Sequence, residues 1–257
     1  MKAKLGMTIF AALTVTLFTM AAIHNNDLFW GDTKILSALR VDDKTWQQFF
    51  ARFDTTRAIS LGFVLAVSAA LWLLRKRLEA AVFLLLLPTL VFTVSFPKLF
   101  VKRLRPEGSL EGMTNSFPSG TGTVSILVLG FLIYLVGEFV AARRLRIGIQ
   151  VALGVAIVLL GLFRLLAGEH WPSDVVGGYM GGALALAAII WLHRWVRERS
   201  SCSACLSSST WSMTCFWETI SNRRSSAKFS LTSTRVSRLM IFQVALIICF
   251  CCTASSP

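Results

Sequence analysis

Lys98-Leu-Phe-Val-Lys-Arg-Leu-Arg105-Pro106, Phe117-Pro118-Ser119-Gly120-Thr121 and Arg164-Leu-Leu-Ala-Gly-Glu-His170-Trp-Pro-Ser-Asp174 are three polar clusters in an otherwise apolar chain. Each lies where a hydrophobic run meets water, and ionisable groups gathered at a membrane boundary are by default candidates for a functional site. The remaining sequence reads as the frame that brings the three together.

That frame is a membrane one. Of 257 residues, 55% are hydrophobic and only 15% charged, with a mean hydropathy of +0.66, which is too apolar for a soluble domain of this length. The formal charge of +13 comes from short groups of Lys and Arg set between apolar runs. These lack the continuous basic face and interleaved aromatics of a nucleic-acid binder, so nucleic acid is excluded as a partner. All six cysteines lie beyond residue 200. The CxxC pair Cys202 and Cys205 has neither a βαβ setting nor a second ligand pair, which argues against a zinc or redox role.

Apolar runs at 5–23, 58–74, 78–96, 121–142, 147–167 and 175–196 are of about spanning length. The first, preceded by Lys2 and Lys4, is long for the core of a signal peptide and reads as a retained helix. Between 24 and 56, Trp30, Ile35, Leu36, Leu39, Trp46, Phe49 and Phe50 recur among charges at helical spacing, predicting amphipathic helices in the interface. Lys2 and Lys4, Arg75-Lys76-Arg77, Arg143, Arg144 and Arg146, and Arg194, Arg197 and Arg199 all fall on one side. The positive-inside rule makes that side the cytoplasm, and parity then sets the three polar clusters on the other. Residues 1–198 are read as a six-helix transmembrane domain and 199–257 as a Ser- and Cys-rich basic tail to which no role is attached.

Lys98, Lys102, Arg103 and Arg105 break the charge bias of the loops. If the third span continues outward as a helix, Lys98, Lys102 and Arg105 share a face at i, i+4 and i+7. Four cations in eight residues repel unless an anion sits among them, so the group reads as an anion site. Arg164 lies near the end of an apolar run, where a charge costs about 2.5–3.5 kcal/mol at membrane depth; a planar guanidinium there suits a phosphate. Ser119 is placed to cap the fourth spanning helix, and Gly120 lets a ligand approach backbone N–H groups at the helix start. His170 and Asp174 are four apart with Pro172 between them. Proline is tolerated in a first helical turn, so the last spanning helix is expected to begin here and carry the carboxylate under the imidazole. One ring nitrogen is then fixed and the other is left to act.

Taken together the clusters resemble the type 2 phosphatidic acid phosphatase (PAP2) family, membrane relatives of the vanadium haloperoxidases. The family's first pattern, Lys-x6-Arg-Pro, is met by Lys98, Arg105 and Pro106, and its third, Arg-x5-His-x3-Asp, by Arg164, His170 and Asp174. The resemblance implies an all-α, integral membrane six-helix bundle of the PAP2/vanadium haloperoxidase type. It implies a phosphatase that hydrolyses a membrane lipid phosphate or diphosphate, for example undecaprenyl or another polyprenyl diphosphate, through a phosphohistidine. By the same resemblance His170 is the nucleophile, Asp174 orients it, and Lys98, Arg105, Ser119, Gly120 and Arg164 hold the phosphate, with no metal and no cofactor. A bacterial inner membrane is expected, with the N-terminus cytoplasmic and the site facing the periplasm or outside. A phosphotransferase that delivers the group to another lipid uses the same residues.

Two departures from the family pattern matter. Phe163 precedes Arg164 where the family usually has Ser, and Thr121 stands where the family has the histidine that protonates the leaving oxygen. General acid catalysis contributes roughly 10²- to 10⁴-fold, or about 3–5 kcal/mol of barrier. Neither His24 nor His193 is an obvious substitute; Glu169 and Glu111 are the acids near the motifs. A lipid monophosphate expels an alkoxide whose conjugate acid has a pKa of about 15 by analogy with water, whereas a lipid diphosphate expels a phosphate with a pKa of about 6. A diphosphate-headed lipid is therefore expected to be preferred over phosphatidic acid. The alternative reading is a non-catalytic relative that binds anionic lipid. A transporter or channel is disfavoured because the polar groups cluster at one face and do not line a path.

Overall fold

The computed structural model describes residues 2–24, 29–41, 43–52, 58–110 and 114–207, and all the regular elements among them are helices. Helix α1 (Lys2–His24) is followed by two short helices, α2 (Asp32–Leu39) and α3 (Lys44–Ala51), and then by α4 (Ala58–Leu73) and α5 (Arg77–Phe100). After a long link come α6 (Gly120–Val124), a π-helical turn (Ser125–Leu129) and α7 (Gly130–Phe139), which run on as one rod, then α8 (Arg143–Leu166) and α9 (Pro172–Ser207).

Threonine hydroxyls in α1 and α5 bond back to their own helices, as an apolar solvent favours. In α1 the hydroxyls of Thr14, Thr16 and Thr19 donate to the carbonyls of Phe10, Ala12 and Val15 at 2.8–2.9 Å. In α5, Thr89 and Thr93 do the same toward Leu85 and Thr89. Val91, Phe92, Val151, Val155, Val158 and Trp191 are exposed on the outer faces, the side that lipid covers. The buried core lies between the rods and is built from Val64, Val82, Phe83, Leu86, Val124, Leu127, Val128, Phe131, Leu135 and Ile189.

Among the described residues, five helices are long and apolar enough to cross a bilayer: Gly6–Ile23, Arg77–Phe100, Gly120–Phe139, Arg143–Leu166 and Pro172–Arg199. The sixth expected crossing is the shorter apolar helix Ser60–Leu73, within the 16 residues of α4. At 1.5 Å per residue α4 reaches about 24 Å, short of the roughly 30 Å hydrocarbon thickness. The amphipathic segment expected at 24–56 contains α2 and α3. Phe50 of α3 packs on Phe163 of α8 with ring centroids 5.3 Å apart, so this segment lies against the C-terminal end of α8.

Two close approaches set the register of the site. A Cβ added to Gly178 would lie 2.6 Å from the Ser119 carbonyl oxygen, and one added to Gly182 would lie 3.0 Å from that of Thr123. The glycine face of α9 thus lets the backbone of α6 lie against it, a small-residue contact typical of membrane helices. Helix α9 continues past residue 198 to Ser207. The remainder of the tail, including the apolar run at 239–252, lies outside the described residues.

Candidate active site

Helix α5 stops at Phe100, where the N–H of Val101 bonds back to the Pro97 carbonyl at 2.9 Å. The expected helical face shared by Lys98, Lys102 and Arg105 therefore does not form. The chain continues extended to an isolated antiparallel bridge between Leu104 and Asn115, and side chains in such a segment alternate. Val101 and Arg103 turn in and are buried, while Lys102 and Leu104 are exposed. Arg103, only one of four cations in the sequence reading, is 1% exposed.

Arg103 occupies the space between two carboxylates, each 71 positions away in the chain. Its Nη1 donates to Asp174 Oδ1 at 3.1 Å and to Ser173 Oγ at 2.6 Å, and its Nη2 pairs with Asp32. The rings of Phe29 and Trp171 flank the guanidinium at 5.2 and 5.9 Å. Asp32, at the start of α2, accepts from the Ser173 N–H at 3.0 Å and the Ser173 hydroxyl at 2.7 Å. Asp174 accepts from the Trp171 N–H at 3.0 Å. Pro172 has no N–H to satisfy, so two carboxylates cap the first turn of α9, where the helix dipole favours negative charge.

His170 sits directly before that turn, 2% exposed. Its Nδ1 is 3.7 Å from Asp174 Oδ2, and its Nε2 is 3.2 Å from Arg105 Nη1. Burial pushes the imidazole below its usual pKa of 6.5; Asp174 opposes this, and the charges of Arg105 and Arg164 add to it. The ring is then neutral at pH 7. With Asp174 on the Nδ1 side, the tautomer that fits carries its proton on Nδ1 and its lone pair on Nε2.

Of the other motif residues, Arg105 and Arg164 bear on this ring. Arg105 also donates to the Glu169 carbonyl and to Thr114 Oγ1, both at 2.8 Å. Arg164, in the last turn of α8, is 1% exposed, and its carbonyl receives the Glu169 N–H. Ser119 caps α6, as its sequence position suggested, accepting from the Gly122 N–H at 3.4 Å. Its own N–H bonds to the Asp174 carbonyl at 3.0 Å, which sets the Ser119-Gly120-Thr121 turn beside the first turn of α9. Lys98 lies in the last turn of α5, half-buried, and its carbonyl accepts from Asn115 Nδ2 at 3.2 Å.

Thr121 is fully buried and has only an alcohol to offer in place of an imidazole. Glu169 is also fully buried, but its carboxylate is committed to the α5–α6 link: it accepts from the Ser109 hydroxyl and the Leu110 N–H and lies 3.6 Å from Arg105. It is built as a clamp on that link. Glu111 lies outside the described residues. His193 is at the far end of α9, bonded to the Tyr134 hydroxyl at 2.9 Å. Among the described residues no group of three or more His, Cys, Asp or Glu side chains gathers as a metal site.

Sequence reading missed three contributors. Asp32 and Ser173 carried no motif, and Arg103 was hidden among its neighbours. Arg40, after α2, donates to the Glu107 carbonyl at 2.7 Å and packs across Gly108 and Gly168. Both glycines have positive φ, +74° and +69°, and a Cβ on either would meet the guanidinium at 2.8 Å. Arg40 thus staples the outer segment onto both loops that carry the site.

The fold is that of a helical membrane protein of the transmembrane PAP2 type, with its polar residues gathered at one end of the bundle. Residues 79–201 match the family model described as PAP2 superfamily, so the resemblance drawn from the motifs holds. The chain is 26% identical over 174 residues to phosphatidylglycerophosphatase B of Bacillus subtilis, an alignment covering 65% of this chain and 86% of that one. It superimposes on the crystal structure of a transmembrane PAP2-type phosphatidylglycerolphosphate phosphatase from Bacillus subtilis with a TM-score of 0.64 at 22% identity. That match covers 74% of this chain and 96% of the other.

Proposed function

We propose that this chain is a membrane lipid phosphatase with His170 as nucleophile. The observation that carries the reading is the environment of one ring: a buried, neutral imidazole with a carboxylate on its Nδ1 side and a guanidinium 3.2 Å from Nε2. A phosphate oxygen that takes over the Arg105 hydrogen bond brings phosphorus to the Nε2 lone pair. Attack forms the N–P bond and breaks the bond from phosphorus to the leaving oxygen, and Asp174 stabilises the imidazolium that results. Arg105, Arg164 and Lys98, with the Ser119-Gly120 turn, hold the phosphoryl oxygens. Water then attacks phosphorus, splits the N–P bond and releases inorganic phosphate, leaving the imidazole neutral again. The same phosphohistidine passed to a second lipid gives a phosphotransferase.

The preferred substrate is a diphosphate-headed lipid such as a polyprenyl diphosphate, because Thr121 cannot protonate a leaving alkoxide and Glu169 is committed elsewhere. A second reading, favoured by the name of the Bacillus relative, is a monoesterase acting on a phosphatidylglycerol phosphate with water as the acid. The membrane is a bacterial inner membrane, with the site on its outer face. Phosphate release by the purified protein, offered a polyprenyl diphosphate, phosphatidic acid and phosphatidylglycerophosphate side by side, tests all of this. Faster turnover of the diphosphate, abolished by His170→Ala, is expected. Faster turnover of either monoester overturns the substrate preference, and lipid binding without turnover favours the non-catalytic reading.

A further inference from the structure

The pairing of Arg103 with two carboxylates has a chemical consequence for His170. Among the described residues Asp174 is the only carboxylate lying against the imidazole nitrogen Nδ1, at 3.7 Å, and Arg103 holds its other oxygen at 3.1 Å. A guanidinium facing Asp174 alone would draw that charge away from the ring. Asp32 lies on the other side of the same guanidinium, 3% exposed, and also holds both the N–H and the hydroxyl of Ser173, the residue next to Asp174. With two carboxylates and one guanidinium the trio keeps a net charge of −1, and the flanking Phe29 and Trp171 rings keep it dry.

We propose that Asp32 and Arg103 are positioning residues for the phosphoryl-transfer step: Asp32 takes up part of the Arg103 charge, and so decides how strongly Asp174 orients and activates His170. Neither side chain touches the phosphate; both act through Asp174. Among the described residues the charged groups that bear on His170 are Arg105 from the α5–α6 link, Arg164 from α8 and Asp174 from α9, with Glu169 paired to Arg105 and with Arg103 and Asp32 behind Asp174. The proposal rests on His170 being the nucleophile.

The test is the pH profile of kcat/KM for phosphate release from lipid phosphate vesicles, with inhibition by inorganic phosphate as the measure of binding. Asp32→Asn leaves Arg103 bearing on Asp174 alone, so the acid limb should move to lower pH and kcat should fall about tenfold, with KM and the phosphate inhibition constant within about twofold. Arg103→Gln frees the Asp174 charge and should move the limb to higher pH. The double variant should bring it back toward wild type, the non-additivity expected of coupled groups. A merely structural role predicts lost folded protein with unmoved limbs. Limbs that stay in place, or move together in both single variants, overturn the proposal. Where the charge variants do not fold, Ser173→Ala removes one hydroxyl from the link and no charge: a two- to fivefold lower kcat at unchanged KM, by rough expectation, supports the link, and a wild-type kcat sinks it. An inactive wild type refutes the phosphatase reading and this one with it, whereas a wild type silenced by His170→Ala leaves the limb shifts to judge the link alone.

Discussion

A buried histidine lies near each end of the membrane-spanning part of α9, Pro172–Arg199, and the contrast between them separates a candidate site from a packed core. His170 and His193 are 2% and 0% exposed, and each has one ring nitrogen without a hydrogen bond, Nδ1 in the first and Nε2 in the second. His193 lies between the rings of Phe131 and Tyr134, at 6.1 and 5.5 Å, and takes the Tyr134 hydroxyl on Nδ1. The ion pair nearest in sequence, Arg197 with Glu138, is half-exposed and worth little. His170 instead has a guanidinium 3.2 Å from Nε2 and a carboxylate 3.7 Å from Nδ1, whereas the His193 ring is in contact with aromatic groups and Glu79, Glu138, Arg194 and Arg197 act on it only through their charge. Burial therefore does not mark the candidate nucleophile. The guanidinium and the carboxylate set directly against its two ring nitrogens do.

The comparison breaks most visibly by mutation of the two rings. His170→Ala should reduce turnover by about 10⁴-fold or more, on the scale of losing a nucleophile, whereas His193→Phe should leave kcat near wild type and cost only about 1–2 kcal/mol of stability. Turnover that survives the first and not the second would invert the assignment. Next in size, Thr121→His should raise the rate on phosphatidic acid by about 10²-fold, within the range of a general acid, and the rate on a diphosphate lipid much less; equal gains would refute the leaving-group argument. Arg105→Lys keeps the charge but loses the planar fork that spans Glu169 and His170, and a loss of about tenfold or more in kcat/KM is expected.

The pH dependence sharpens the same contrast. The nucleophile must be neutral, and burial and two guanidinium groups hold the His170 pKa below 6.5. The midpoint of the acid limb of activity should therefore lie below pH 6.5. An acid limb above pH 6.5 would mean that Asp174 outweighs burial and the cations together. The smallest effect is expected for Tyr134→Phe, which removes one hydrogen bond from His193 at about 1 kcal/mol. A thermal-shift measurement in detergent should detect it, with phosphate release unchanged.

Much of the site was legible because local chemistry writes it into short spacings. Pro172 in the first turn of α9, Ser119 at the cap of α6 and the i, i+4 pair His170 and Asp174 all follow from rules acting within one helical turn. The end of α5 was not legible. Lys98, Lys102 and Arg105 fit a continued helix, and nothing local signalled that the chain would turn extended at Val101 and send Arg103 inward. Asp32 was unreadable for a different reason: a carboxylate in a polar segment looks solvated until a partner 71 positions away makes its burial favourable.

By itself the sequence determined that the chain is a helical membrane protein, which polar residues gather at one end of it, and that Thr121 departs from the family pattern, because hydropathy and motif spacing are local quantities. Only the tertiary structure decided that Arg103 serves Asp174 and Asp32, that Glu169 clamps a loop, and that Arg40 rests across Gly108 and Gly168. Each of these joins segments far apart in the chain, and a buried charge is stable only beside the partner that the fold delivers to it.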